Sequence, residues 1–303
     1  MAFWKTSPEA MHAKAIAQRF LVAMSDNRRA RDLMMLPTVW DASQVPTRAI
    51  VEIKHDGIHL GYSAQRRAFT REGVDFTCAS HHLPALAALD AALGCPHVLF
   101  GEYLNLDGFN ATLADFARGV GAGIVVLFDA VPLDAWTGAQ PSAPLHQRKA
   151  RLAAAYAKLS AAQRGTVVLV KSSLFEGAAR DNIELVAGDL WAQQLEGVVV
   201  KDADAPYVRG PSSYWLKLKQ TNTVDLPITD MTIEGGKLKS ITVEAVPGVP
   251  SKVGVGFSES DRANPLRFVT GRMVEIKHLG ITARGALKSG SFLRFRDDKA
   301  GAN

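Results

Sequence analysis

The strongest constraint on the fold is a change of texture near Thr221. From about residue 50 to that point, short apolar runs alternate with amphipathic helical stretches. Beyond it come short strand-like segments, punctuated by Gly235-Gly236 and Pro247-Gly248. Runs of a few apolar residues bounded by turn signals read as strands, and apolar residues recurring at helical spacing read as helices. Strands are expected at 49–54, 59–63, 97–104, 124–130, 166–170, 196–201 and 214–219. Helices are expected at 83–93, 111–118, 146–160 and 180–193. This mixture predicts an α+β domain with antiparallel sheets over residues 1–222, followed by a small β-barrel over 223–303. At the N-terminus, Ser7-Pro8-Glu9 supplies a cap, a first-turn proline and an acid against the dipole. Ala13, Ile16, Phe20 and Met24 then continue at helical spacing, so one helix packed on the larger domain is expected. Pro37 and Pro46 mark a loop into the first strand.

Composition narrows the function classes. Of 303 residues, 47% are apolar, enough for one large and one small core. The net charge of +5 suits a polyanionic partner. Cys78 and Cys95 are the whole cysteine complement, which excludes a disulfide framework and a four-cysteine zinc module. No run approaches the roughly 18 apolar residues that span a bilayer. Phe20-Leu21-Val22-Ala23-Met24 is too short for a secretory core. A soluble monomer of a reducing cytoplasm, with no membrane partner, is the expectation.

The chemistry concentrates in Val51-Glu52-Ile53-Lys54-His55-Asp56-Gly57. A lysine amine becomes a nucleophile only when its surroundings favour loss of the ammonium proton. Here Lys54 stands at the end of an apolar strand, two residues before an Asp-Gly turn. Strand alternation sends Glu52 and Lys54 to one face. Downstream come Thr70-Arg71-Glu72-Gly73, Phe100-Gly101-Glu102-Tyr103, Leu195-Glu196-Gly197-Val198-Val199-Val200-Lys201 and Trp215-Leu216-Lys217-Leu218-Lys219. The barrel segment adds Gly254-Val255-Gly256-Phe257-Ser258, Gly271-Arg272-Met273-Val274-Glu275-Ile276-Lys277 and Arg294-Phe295-Arg296-Asp297-Asp298-Lys299.

In this order the motifs resemble those of the covalent nucleotidyltransferases, most closely the ATP-dependent DNA ligases, from Glu52 to Lys299. The small size is similar to that of bacteriophage and minimal bacterial ligases, in which case the compartment is the host cytoplasm. The resemblance implies a nucleotidyltransferase (adenylation) domain and a C-terminal OB-fold β-barrel. It also implies a three-step reaction: Lys54 takes AMP from ATP, AMP passes to the 5′-phosphate of nicked double-stranded DNA, and the 3′-hydroxyl displaces it.

The same resemblance assigns roles. Glu52 reads the adenine amino group, with Ile53 beside it in the nucleotide pocket. Arg71 contacts ribose or the nick terminus, and Glu102 binds ribose. Phe128 stacks on adenine, while Lys201 meets that ring from its other side or neutralises phosphate. Asp56, Glu102 and Glu196 are the candidate oxygen ligands for Mg²⁺, with Mn²⁺ as an alternative. Lys217 and Lys219 contact the α-phosphate, and Arg296 and Lys299 orient the leaving pyrophosphate. Arg148 and Arg151 are expected to face solvent or DNA.

One position departs from the family pattern Lys-x-Asp-Gly-x-Arg: this chain has Ile58-His59. A histidine is fully charged only below its ordinary pKa of about 6.5, so slower or more pH-sensitive activity is expected. Two alternatives stay open. One is an RNA ligase or a GTP-using capping enzyme of the same superfamily. The other is a catalytically weak nick-binding protein, which His59 favours.

Overall fold

The computed structural model describes residues 30–177, 180–282 and 284–299. The helix expected around 7–24 lies outside these residues. The chain divides into two compact units, Met1–Leu218 and Lys219–Asn303, where the sequence places the seam at 222/223.

Two five-stranded sheets build the first unit. One runs in the order β1 (Met35–Val39), β10 (Gly210–Lys219), β9 (Gly197–Asp202), β2 (Arg48–Ile53), β8 (Ser172–Glu176). The other runs β4 (Arg67–Thr70), β3 (Ile58–Ser63), β5 (His97–Leu104), β6 (Ile124–Pro132), β7 (Val167–Leu169). Pairing is antiparallel at β2 with β8 and β9, and from β4 through β6. It is parallel where β1 meets β10 and where β6 meets β7. β1 occupies the stretch expected to be a loop. Its Pro37 is tolerated because β1 is an edge strand, where a missing N–H costs no ladder bond on the open side.

Alternation sorts each sheet into two faces. Ala49, Val51, Val198, Val200 and Leu216 pack with Ile183 and Ala187 of helix α3 (Arg180–Ala192). In the second sheet, Leu60, Leu99, Tyr103 and Leu127 pack with residues of α1 (Leu83–Ala92) and α2 (Leu145–Lys158). The opposite faces share a third cluster of Val98, Phe100, Val131, Trp136, Tyr207 and Trp215, with Phe128 partly buried against it. The polar residues between 50 and 220 that matter chemically lie beside this inter-sheet cluster.

The second unit is a five-stranded antiparallel sheet, β13 (Val249–Val253), β12 (Lys237–Val246), β11 (Asn222–Glu234), β14 (Met273–His278), β15 (Ser291–Phe295). The long β11 pairs with β14 through its first half and with β12 through its second. The edge strands share no ladder among the described residues. They are brought together just past β13, where Phe292 N–H donates to Val255 O at 3.0 Å. Gly256 permits that approach. It has a φ of +92°, and a Cβ there would collide with Phe292 O. The result is a partly open barrel of the OB type, filled by Ile228, Ile241, Val243, Phe268, Ile276 and Phe292.

Candidate active site

Lys54 follows the last residue of β2, and its backbone N–H still donates to Gly197 O at 2.9 Å. The lysine therefore keeps strand register beyond the end of the ladder. Its Nζ donates to Glu196 Oε2 at 2.7 Å, with the two side chains 20% and 17% exposed. The Asp56-Gly57 turn that follows lies tight against β5. A Cβ at Gly57 would strike the Tyr103 carbonyl oxygen and come within 2.7 Å of Glu102 Cγ. Gly57 is thus required by the packing of its own loop.

Glu102 is the acid most altered by its setting. Burial pushes its carboxyl up to about 7, and the Glu196 and Asp56 charges push the same way. Lys54 and the Gly57 N–H oppose them. A buried carboxyl raised in this way is relieved by a hard cation. Among the described residues, no group of three or more acid, histidine or cysteine side chains forms a closed metal site. Of the candidates Asp56, Glu102 and Glu196, Glu196 is engaged by Lys54, so Mg²⁺ here would be held in its other mode, by one or two carboxylates together with substrate phosphates.

Glu52, 3% exposed, sits one strand position before Ile53 and is enclosed by cations. Lys201 Nζ lies 2.6 Å from Oε2. Lys149 Nζ, from α2, donates to Oε1, which also accepts from Ser172 Oγ at 3.0 Å. Burial alone would raise the Glu52 carboxyl, but Lys201 and Lys149 outweigh it and hold the group below the usual carboxylate range. Burial draws the Lys201 ammonium down, against the pull of Glu52. That ammonium stands 4.4 Å from the Phe128 ring centroid and 4.0 Å from that of Trp215. Phe128 meets Trp215 edge-on at 5.9 Å.

His59 lies opposite Glu102 in the β3–β5 ladder. Its ring packs 5.5 Å from Phe128 and 6.0 Å from Phe100, and its buried Nε2 has no hydrogen-bond partner. Burial drops its pKa to about 3, helped by the Arg71, Lys201 and Lys54 charges. The expected pH-sensitive cation is therefore absent at this position: burial first, and then the three neighbouring cations, keep the His59 ring neutral at physiological pH. Arg71 itself is 52% exposed and 3.6 Å from Glu72.

Lys217 and Lys219 share the Trp215 face of β10 by alternation and are half-buried. In the second unit, Arg296 makes paired bonds to Asp225 at 3.0 and 2.8 Å and to Asp298 at 2.9 and 2.8 Å. Lys299 Nζ reaches Asp225 Oδ2 at 2.6 Å. One acid, Asp225, thus holds both Arg296 and Lys299 of the last motif.

The expectation for Arg148 is corrected. It is 2% exposed and grips Asp129 through Nε–Oδ1 (3.0 Å) and Nη2–Oδ2 (2.8 Å). The helical stripe Leu145, Arg148, Leu152, Ala155 is the buried face of α2, so position 148 points inward, while Arg151 is exposed. Lys149 and Ser172 carry no motif signal in the sequence. The one available hint for Asp129 was an acid inside the apolar run Val125-Val126-Leu127-Phe128-Asp129-Ala130-Val131.

Residues 234–296 match the family model described as DNA ligase OB-like domain, and the C-terminal unit carries such a domain. A curated "Probable DNA ligase" of Streptomyces avermitilis is 31% identical over 194 residues, covering 59% of this chain and 34% of that protein. The chain thus spans about a third of the length of that relative. Among solved structures, one described as "Pmar-Lig_PreS3" superposes with a TM-score of 0.74 at 20% identity, over 86% of this chain and 67% of the other. A second, from "DNA binding with a minimal scaffold: Structure-function analysis of Lig E DNA ligases", gives 0.67 at 20% identity, over 87% of this chain and 98% of the other. The two-unit fold is shared with these structures.

Proposed function

We propose that this chain is an ATP-dependent DNA ligase that seals 5′-phosphate/3′-hydroxyl nicks through a lysyl-AMP intermediate. The observation that carries the reading is Lys54, held at a strand end by Glu196 and close enough to Glu102 and His59 for its charge to act on both. The DNA ligase OB-like match over 234–296 supports the same assignment from the other unit.

In the first step the Lys54 ammonium loses a proton and the amine attacks the α-phosphorus of ATP. A P–N bond forms as the bond to pyrophosphate breaks. Glu196 fixes Nζ beforehand, so the amine enters from a defined direction. Lys217 and Lys219 lie on the β10 face where charge on the α-phosphate is to be balanced. Arg296 and Lys299 serve the leaving pyrophosphate and hence this step alone. In the second step a 5′-phosphate oxygen of the nick displaces Lys54 from AMP, cleaving the P–N bond. In the third the 3′-hydroxyl attacks that 5′-phosphate, loses its proton, and releases AMP.

Asp56, Glu102 and Glu196 are the residues that would hold Mg²⁺. The ion would neutralise charge developing on the transferred phosphoryl group. Glu52, Ile53, Phe128 and Lys201 line the base side of the pocket, with His59 and Arg71 towards the sugar. Phosphate contacts by Lys and Arg supply most duplex affinity, with no sequence code. The protein acts as a monomer in the cytoplasm.

Sealing of a nicked duplex carrying a labelled 5′-phosphate tests the reading. The wild type with ATP and Mg²⁺ should protect the label from phosphatase, and Lys54→Ala should not. Sealing retained in Lys54→Ala would overturn the assignment of the nucleophile.

A further inference from the structure

We propose that Lys149 is a positioning residue that sets base selectivity in the nucleotide pocket by orienting Glu52. This rests on the adenylation reading above. Lys149 is the second residue of an adjacent basic pair on α2, and its partner Arg148 turns into the core. Its own ammonium does something different. It donates to Glu52 Oε1 and, at 3.2 Å, to the Phe128 carbonyl oxygen. One side chain therefore ties the carboxylate on β2 to the backbone of β6, the strand that carries the pocket's aromatic ring. The two sheets that form the walls are joined at this point.

Counting acceptor sites shows the consequence. An ionised carboxylate offers about four lone-pair positions, two on each oxygen. On Glu52, Oε1 is filled by Lys149 and Ser172, and Oε2 takes Lys201. One position remains, on Oε2. A purine whose 6-substituent is an amino group can fill it by donating. A purine with a 6-carbonyl presents a lone pair to a carboxylate and is rejected. Selectivity of this kind depends on the carboxylate staying ionised and unable to rotate, and Lys149 secures both. It balances the buried charge, and its second bond to Phe128 O fixes its own position. Without it, Oε1 would have a vacant acceptor site and the carboxylate could turn. The carboxyl would also take up a proton more readily and, once protonated, donate to a 6-carbonyl.

The test compares labelling of Lys54 by α-labelled ATP and by α-labelled ITP, which differs in having a 6-carbonyl. Wild type, Lys149→Gln and Ser172→Ala are measured as initial rates over a range of nucleotide concentrations. Lys149→Gln should lower the ATP-over-ITP ratio by about ten- to a hundredfold, the scale of one charge-assisted hydrogen bond. The loss should fall mainly on the KM for ATP. Ser172 is exposed, so Ser172→Ala should fold whatever becomes of Lys149→Gln, and should move the ratio the same way by less. If both variants keep the wild-type ratio, even at reduced rates with both nucleotides, the proposal is wrong. A wild type that takes no label from ATP would contradict the adenylation reading itself, a different and separable failure.

Discussion

His59 shows how far a residue's setting can depart from its motif position. The resemblance calls for an arginine there, yet the ring packs between Phe100 and Phe128 with Arg71, Lys201 and Lys54 acting against any charge. The sign of the resulting pH effect follows directly. With the folded pKa at about 3 and the unfolded value near 6.5, the unfolded chain binds more protons between those limits. Stability from this group is complete above about pH 6.5 and declines as pH falls toward 3. His59→Gln should therefore weaken the acid sensitivity of unfolding in that window, measured by denaturant titration at several pH values. The adenylation rate of the wild type between pH 6 and 8 should show no His59 titration, and His59→Gln should leave the shape of that profile unchanged. At this scale Lys54, Glu102 and Glu196 stand out as candidates because each belongs to a short local motif, and the structure brings Lys54 to Glu196. Lys149 was not, because its partner Glu52 lies 97 residues away and nothing local marks the pairing. Arg148 read as a surface residue for the same reason, since a charged residue in a helix is usually solvated.

Among the elements, α2 joins core and site. Its stripe of Leu145, Arg148, Leu152 and Ala155 packs inward, and the Arg148–Asp129 pair pins it to β6. Arg148→Met strands a buried carboxylate and should destabilise the first unit by about 3–5 kcal/mol in equilibrium unfolding. The double variant Arg148→Met/Asp129→Asn should recover much of that loss, since no unpaired charge remains. A double variant as unstable as the single one would show that packing, rather than the charge, decides. The Lys54 loop depends on Gly57. Gly57→Ala must push the turn away from Tyr103 and Glu102, and should lower lysyl-AMP formation by at least about tenfold, the scale set by a misplaced nucleophile. Seven of the ten strands of the first unit and the helices expected at 83–93, 111–118, 146–160 and 180–193 were legible from apolar periodicity, with ends within about four residues, whereas β4 and the individual barrel strands were not delimited. β1 was not, because Pro37 signals a loop, and its place at a sheet edge depends on a partner, β10, some 170 residues later. The short β8 was also unexpected; its Ser172-Ser173-Leu174-Phe175-Glu176 has a weak strand pattern and is held by pairing with β2.

For the whole molecule, the two-unit plan was visible in the change of texture near Thr221, and the structure turns the chain over at Leu218/Lys219. The last motif belongs to the second unit, where Asp225 holds Arg296 and Lys299. If these two residues act on the leaving pyrophosphate, Arg296→Ala should reduce lysyl-AMP formation by about a hundredfold or more, the scale of a lost transition-state contact. Sealing of a nick that already carries 5′-AMP should be affected far less. Comparable losses in both assays would place Arg296 in DNA binding instead. The central claim is that Lys54 accepts AMP from ATP and passes it to a nick. Incubation with α-labelled ATP and Mg²⁺, with GTP and NAD in parallel, followed by denaturing electrophoresis and a chase with nicked duplex, tests it most directly. The account predicts label on the protein from ATP alone, discharged by the nick as the strand is sealed. Label from GTP instead, or no label from any nucleotide while the nick is still bound, would contradict it.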